Sequence, residues 1–325
     1  MSSASTSSLP LALSGGTRLA GGFLRELWHD KPAAIGLLVI LLIIAMAIFA
    51  PLIAPYDPAA QSLIARLKPP AWLAGGSWAH PLGTDHLGRD VLSRVIWGSR
   101  ATLLIGFSVV LLAGTFGVIV GLWAGYAGGR VDSLVMRLVD IQVSFPGILL
   151  ILLIVSVIGP SITTMIVVLA VTNWMVYARQ VRGIVMSVRQ TAYVEAAEVI
   201  GCRPGRVIFR HILPNLFSPI LTVAILEFTN IVLAEAAISF LGLGVQPPAT
   251  SWGLDVAAAR DYIFIAWWLI TFPGLSIVAT VLSVNLFANW VRITADPQER
   301  EKRFARAQAA KRRRARGDQA TVPAE

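Results

Sequence analysis

The chain has 325 residues, of which 56% are hydrophobic and only 14% are charged, and its mean hydropathy is +0.71. Because soluble domains carry about 25% charged residues, this composition excludes a soluble globular protein and indicates a polytopic membrane protein. The net charge of +9 does not indicate nucleic-acid binding, since most basic residues lie beside hydrophobic segments or in the C-terminal tail. The single cysteine, Cys202, excludes a disulfide within the chain and a multi-cysteine metal site.

Six apolar segments are long enough to cross a bilayer, so the predicted fold is an all-α membrane bundle. We expect residues 1–32 to form a cytosolic tail and not a cleaved signal peptide, because no small-residue cleavage site follows the first apolar run. A proline-rich polar connection at 56–100 separates the first span from a domain at 101–291, and a basic cytosolic tail follows at 292–325. The six predicted spans are 33–55, 101–126, 138–158 with a kink at Pro146, 162–177, 216–243 and 262–290.

The basic residues predict which side of the membrane each loop occupies. If both termini and the loops at 127–137 and 178–215 are cytosolic, only six of the 27 Lys and Arg residues lie outside. Those six are Arg66, Lys68, Arg89, Arg94, Arg100 and Arg260. Since positive residues accumulate on the cytoplasmic side, we predict that both termini face the cytosol.

The cytosolic loop at 190–215 has more local structure than a simple connection needs. Gly201 can adopt the left-handed conformation that ends a helix, and Pro204 suits the first turn of the next one. Three arginines share one face of this second helix and three apolar residues share another: Arg203, Arg206 and Arg210, and Val207, Ile208 and Ile212. The loop is therefore predicted to form two short helices joined by a bend, with a surface that fits a partner protein.

Three carboxylates lie at or within the predicted spans. Charged groups in a membrane are costly, so Asp140, Glu227 and Glu235 are candidates for the translocation pathway. The alternative is a structural hydrogen bond to a neighbouring helix. We expect Asp140 to pair with Arg137 or Arg179, while both readings stay open for Glu235, in the outer half of its span; Glu227, nearer the cytosolic end, is the weaker pathway candidate.

The second span carries a glycine at every fourth position. Gly117, Gly121 and Gly125 leave one helix face almost bare, which predicts close packing against another helix.

A polar cluster, His80, Asp85, His86 and Asp90, lies in the outer connection. Its spacing would allow a metal site, but nothing in the pattern enforces ligand geometry, and we favour a structured loop whose side chains satisfy turns. A hydrolase built on the two histidines would need a serine or cysteine nucleophile motif, and none accompanies them.

The sequence contains neither GxxxxGK[ST] nor GxGxxG, the phosphate-binding patterns of nucleotide-binding proteins. We therefore expect no cofactor in this chain, and any ATP and Mg²⁺ that power it to be bound by other subunits.

The cytosolic loop resembles the EAA loop of permeases from binding-protein-dependent ABC importers. That pattern is EAA, three residues, Gly, nine residues, Ile, one residue, Leu-Pro, and six residues match it: Glu195, Ala196, Ala197, Gly201, Leu213 and Pro214. His211 stands where the general pattern has Ile, and together with Arg210 and Asn215 it is similar to the peptide and nickel branch of the family. Four further stretches resemble the same branch, at 80–94, 125–140, 234–253 and Asp296-Pro297, so the resemblance covers about residues 25–298.

The resemblance implies the permease fold of a type I ABC importer in a bacterial inner membrane, of the C-permease type found in dipeptide, oligopeptide and nickel importers. Its implied partners are a second homologous permease, two cytosolic ATPases and an extracytoplasmic substrate-binding protein. It also implies an ATPase-coupling set of Glu195, Ala196, Ala197, Gly201, Arg206, Arg210, His211, Leu213 and Pro214.

The substrate implied by the resemblance is a dipeptide or oligopeptide, with nickel, glutathione or opines as alternatives in the same branch. A secondary transporter that uses Glu227 and Glu235 as proton sites is the rival class. Against it, the sequence has no detectable internal repeat, and the two-helix cytosolic surface would have no use.

Overall fold

A computed structural model describes residues 27, 28 and 30–295 of the chain. Within these residues the secondary structure is helical, with one isolated bridge between Thr84 and Asp90 and no strand. Most of the predicted N-terminal tail, the basic tail beyond residue 295 and the Asp296-Pro297 pair lie outside the described residues.

Eleven α-helices are numbered here in chain order. They are α1 (Lys31–Ile48), α2 (Ala50–Ile53), α3 (Val91–Ala127), α4 (Gly129–Val143), α5 (Gly147–Ile158), α6 (Ile162–Arg189), α7 (Ala192–Val199), α8 (Pro204–Val207), α9 (Leu213–Phe240), α10 (Trp252–Ala259) and α11 (Trp268–Ala295) in the described part of the chain. A π-helical segment, Ile208–Ile212, joins α8 to α9. We call the end of the bundle with residues 54–90 and 241–267 the outer end and the opposite end the inner end, following the predicted orientation.

Five helical segments of the described chain are long and apolar enough to cross a membrane: α1, α3, α6, the run Pro204–Phe240 and α11. The pair α4 and α5 supplies a sixth span if it is counted as one. The all-α polytopic fold is therefore confirmed. The kink predicted at Pro146 is present as a sharp bend, since α4 and α5 meet at 82° across a three-residue break. Proline lacks the N–H that would continue the hydrogen-bond ladder, and the chain turns there.

Several helices extend past the predicted span boundaries. α3 begins at Val91, ten residues before the predicted start, and α6 continues to Arg189, twelve residues beyond the predicted end. At the outer end Asp90 caps α3, because its Oδ2 accepts hydrogen bonds from the Ser93 N–H (2.8 Å) and Oγ (2.7 Å). Hydrophobicity locates the part of a helix that lies in lipid, and capped polar turns extend the helix beyond it.

The remaining spans differ less from the prediction. The first is interrupted at Phe49, between α1 and α2, and the last begins at Trp268 and not at residue 262. The fifth is continuous with the preceding loop, as described below.

The glycine face of α3 packs against α6, which confirms the predicted close helix contact and places it within this chain. A Cβ at Gly117 would collide with the carbonyl oxygen of Trp174, and one at Gly121 with the carbonyl oxygen of Ala178. Only glycine permits this approach of backbone to backbone. Above this contact, an apolar core that includes Ile105, Met165 and Ile231 joins α3, α6 and α9.

The glycine contact predicts a specific pattern of instability. Gly121→Leu forces a side chain into the backbone of α6 and should destabilise the fold by about 1–3 kcal/mol, the usual cost of overpacking. Gly183→Leu is the matched control, because a Cβ at Gly183, on the exposed side of α6, meets no atom within 4 Å. Thermal unfolding of the two purified variants in detergent checks this, and equal unfolding temperatures would contradict it.

Candidate functional site

The inner loop begins with α7, which ends as the sequence predicted. Gly201 has φ +85°, and the N–H groups of Gly201 and Cys202 donate to the carbonyl oxygens of Glu198 and Ala197, both at 3.0 Å. This pair of bonds is a Schellman motif, which satisfies the last carbonyls of α7 and turns the chain back towards the membrane. The predicted bend is confirmed.

The second half of the loop differs from the prediction of a separate short helix. α8 runs through the π-helical segment directly into α9, so that residues 204–240 form one uninterrupted helical path. Pro214 gives the physical reason, since it has no N–H for the carbonyl four residues back and its ring crowds that turn. Widening the preceding turn to π geometry accommodates the proline without breaking the helix.

The loop is anchored by apolar side chains from both of its halves. Val194 in α7 and Val207 in α8 are fully buried and pack against the inner half of α6. The cluster they join comprises Val181, Val185, Val194, Val207, Ile212 and Leu216. The loop is therefore a packed extension of α6 and α9.

A polar joint, which the sequence analysis missed, fastens the loop to α3 as well. Arg189, at the end of α6, lies 3.4 Å from the carboxylate of Glu198 in α7. Its Nη1 donates to the carbonyl oxygen of Tyr126 at 2.8 Å, and its guanidinium lies 5.1 Å from the centre of the Tyr126 ring. The sequence shows Glu198 one turn after Glu195, but it does not show that Arg189 would link Glu198 to Tyr126, which is distant in sequence. Across the bend, Asn215 Nδ2 donates to Tyr193 Oη at 3.1 Å.

The predicted coupling residues fall into three groups. Exposed are Glu195, Ala196, Gly201, Arg206, Arg210 and Pro214; half-buried are His211 and Leu213; buried is Ala197. The two alanines of the motif therefore differ, since Ala197 packs inside this chain and Ala196 faces outwards. The coupling role of the two alanines stays a prediction.

The exposed face combines charge with large apolar side chains. Glu195 has no ion-pair partner among the described residues, although Arg206 and Arg210 lie on the same loop. At the tip of the bend, Val199 and Ile200 are 87% and 82% exposed. Exposed apolar residues beside unpaired charges are typical of a protein-binding surface, so this face suits a soluble partner.

Asp140 pairs with Arg179, one of its two predicted partners. The Arg179 Nη2 lies 2.9 Å from its Oδ1, and the Asp140 side chain is 71% exposed. One turn closer to the inner end, Arg182 makes a two-pronged contact with Asp132, at 2.8 and 2.6 Å. These two pairs fasten the exposed helix α4 to α6.

The carboxylates of α9 lie in different surroundings. Glu227 accepts a hydrogen bond from Asn230 in its own helix at 3.1 Å. Glu235 is 1% exposed, and its Oε1 accepts hydrogen bonds from Ser239 (2.7 Å) and from Ser251 in the outer loop (2.9 Å). Of the two readings of Glu235, the structure shows the hydrogen-bonded one; a role for Asp140, Glu227 or Glu235 in the pathway stays a prediction.

The outer polar cluster forms a structured loop, as expected. His80 Nδ1 lies 3.0 Å from Asp90 Oδ1. The Asp85 carboxylate accepts hydrogen bonds from both the backbone N–H and the side-chain Nε of Arg89. His86 stacks on Tyr262, and burial lowers its pKa, an effect that nearby Asp85 opposes. In the described part of the chain no group of three His, Cys, Asp or Glu side chains is placed to hold a metal ion.

Two family models match this chain, in separate stretches. Residues 117–298 match the family described as binding-protein-dependent transport system inner membrane component. Residues 19–70 match the N-terminal transmembrane domain of oligopeptide transport permease C.

Two similar relatives are the di/tripeptide transport system permease protein DppC of Pseudomonas aeruginosa, 43% identical, and the dipeptide transport system permease protein DppC of Escherichia coli, 44% identical. Each match covers 85% of this chain, and it spans 92% and 93% of the respective relative. Among solved structures, the inward-facing MetNI methionine ABC transporter matches with a TM-score of 0.53 at 19% identity. That match covers 63% of this chain and 97% of the other, and it shows the fold alone.

The family match spans more than half of the chain, and the relatives share well over 30% identity across most of it. The chain therefore belongs to the family of binding-protein-dependent transport system inner membrane components, which are multi-pass subunits of bacterial inner membranes.

Proposed function

We propose that the chain is the permease subunit of an ATP-driven importer for dipeptides or oligopeptides, and that it forms half of the translocation path. The named activities of the similar relatives support the peptide class. Nickel, glutathione or opines are alternatives within the branch, and the identity of the binding protein distinguishes them. The observation that carries the proposal is the exposed, mixed surface of α7 and α8, held rigidly on the spans.

The geometry explains how such a surface transmits force. Apolar packing fixes α7 and α8 to α6, and the 37 residues of Pro204–Phe240 continue as one helix for about 55 Å, at 1.5 Å per residue. A displacement imposed on the inner loop therefore reaches the outer end of α9. The bound partner needs different contacts in two states to shift the permease between them, and a docked surface supplies them.

Four partner subunits follow from the proposal: two ATPases that bind ATP and Mg²⁺, a second homologous permease and an external binding protein. The break between α4 and α5 supports the second permease. Backbone that leaves helical geometry at membrane depth must be covered by protein or water, because lipid satisfies no hydrogen bonds. The apolar face beside it, with Leu149, Leu153 and Val157 exposed, suits another subunit.

Reversing the charge of Glu195 should uncouple the permease from its ATPases. Glu195→Lys places a cation where we expect a basic residue of the ATPase, and like charges at an interface cost several kcal/mol. Peptide uptake and co-purification of the ATPases should fall at least about tenfold, with the amount of permease in the membrane unchanged.

Arg130→Glu is the matched control, because Arg130 is exposed at the inner end but lies outside the loop. It should leave uptake unchanged. Normal uptake by Glu195→Lys would remove Glu195 from the coupling role.

The energy source separates the proposal from a proton-coupled transporter. Proteoliposomes with the assembled importer should take up peptide only when Mg-ATP is supplied on the side of the ATPases, and a protonophore should not slow uptake. Uptake that needs a proton gradient but no ATP would favour the rival mechanism.

A further inference from the structure

The short outer helix α10 is hydrogen-bonded to α9 through its N-cap residue. Ser251 Oγ accepts from the Leu254 N–H at 3.2 Å and donates to Glu235 Oε1 at 2.9 Å. Ser239, one turn beyond Glu235 on α9, donates to the same oxygen. Each of the three side chains is buried. A buried polar oxygen is costly without a hydrogen bond, so the two hydroxyl groups that donate to Oε1 fix where the start of α10 lies.

The middle of α10 is bound to α3 by a buried ion pair. Arg94 Nε lies 2.9 Å from Asp255 Oδ1, and its Nη2 contacts the same oxygen. Thr250 Oγ1 lies 3.2 Å from both oxygens of Asp255, and Arg94 Nη1 donates to the carbonyl oxygen of Pro58 at 3.2 Å. Three outer segments far apart in sequence therefore meet at the Arg94–Asp255 pair. Buried pairs of this kind add little stability over an apolar substitute, but they specify geometry.

Close packing adds to the polar contacts on both sides of α10. Trp252 is completely buried, and its Nε1 donates to the carbonyl oxygen of Val95 at 2.9 Å. A Cβ at Gly98 of α3 would lie 2.9 Å from the Trp252 indole, and one at Gly253 would lie 2.6 Å from the Cα of Ala236 in α9. α10 is thus packed closely against two spans at once, and this leaves no room for it to slide between them.

We propose that Glu235, Ser251 and the Arg94–Asp255 pair are positioning residues that fix α10 between α3 and α9, so that the outer ends of these spans move as one body during transport. This inference rests on the proposed importer function. The inner loop packs on α6 and is continuous with α9, and α10 extends that connection to the outer end of α3. Without it, ATPase closure would move α9 while the outer end of α3 lagged behind, and ATP would be hydrolysed with less solute moved.

The first test changes one hydroxyl group. In proteoliposomes with the assembled importer and its binding protein, Ser251→Ala should lower the number of dialanine molecules moved per ATP hydrolysed by about fivefold, the lower end of typical coupling between sites. Ser251→Thr keeps the hydroxyl group and should restore the wild-type ratio. Thr222→Val is the control on α9, since that hydroxyl bonds only to the Ser218 carbonyl oxygen of its own helix. A wild-type ratio for Ser251→Ala, or no rescue by threonine, overturns the proposal.

The second test concerns the ion pair. Asp255→Asn removes the charge that holds Arg94 and should lower the same ratio. Asp261→Asn is the control, because it removes an exposed carboxylate that lies 3.6 Å from Arg260 in the same outer segment. It should leave the number of dialanine molecules moved per ATP unchanged. Equal ratios for the two variants contradict the role of Asp255.

A distance measurement tests the rigid unit without disturbing it. Spin labels at Arg100→Cys in α3 and Arg260→Cys beyond α10, both exposed, are placed in a Cys202→Ala background. The mean distance between the two labels should stay the same with and without Mg-ATP. Adding Ser251→Ala should broaden the distribution of that distance. A shift on ATP binding in the labelled protein with native Ser251 overturns the proposal, whereas loss of ATP-dependent uptake by the wild-type importer would instead refute the proposed function.

Discussion

Movement of the inner loop can reach the outer end because the loop is anchored on several spans at once. Val194 and Val207 are buried against α6, and Arg189 joins Glu198 to the end of α3. The helical path from Pro204 to Phe240 has no break, since its π-helical segment absorbs the effect of Pro214. A flexible loop would bend when its partner displaced it, and the displacement would not reach the spans. A packed one transfers the push to the helices.

The same constraint explains where polar groups lie along the chain. Backbone inside a bilayer must satisfy its own hydrogen bonds, so the irregular segments are confined to the ends of the bundle or to the break between α4 and α5. At the outer end, buried carboxylates and arginines satisfy one another and bring distant segments together, as Arg94 and Asp255 do. At the inner end, Glu195, Arg206 and Arg210 stay exposed. Charged side chains of the permease thus fix internal geometry at the outer end and form a binding surface at the inner end.

Local chemistry made part of this structure predictable from sequence. Gly201 ends α7 in the left-handed backbone conformation, which glycine adopts most easily. The glycines of α3 predict a closely packed neighbouring helix without identifying it. The partners of the buried polar side chains were not predictable. Ser251 and Glu235 are 16 residues apart, Arg94 and Asp255 are 161 residues apart, and Arg189 meets Tyr126 only where α3 and α6 pack together. Helices extend beyond the predicted spans where capped polar turns continue past the apolar stretch, as at Val91.

The rigid connection between the inner loop and α9 can be measured directly. Spin labels at Ala192→Cys in α7 and Leu233→Cys in α9, both exposed positions, report its length in the assembled importer with Cys202 replaced by alanine. If the loop and the span move together, the distance between the labels is the same in the nucleotide-free and ATP-trapped states. A distance that changes when ATP binds would show that the loop bends on its own, and transport would then need another route for the force.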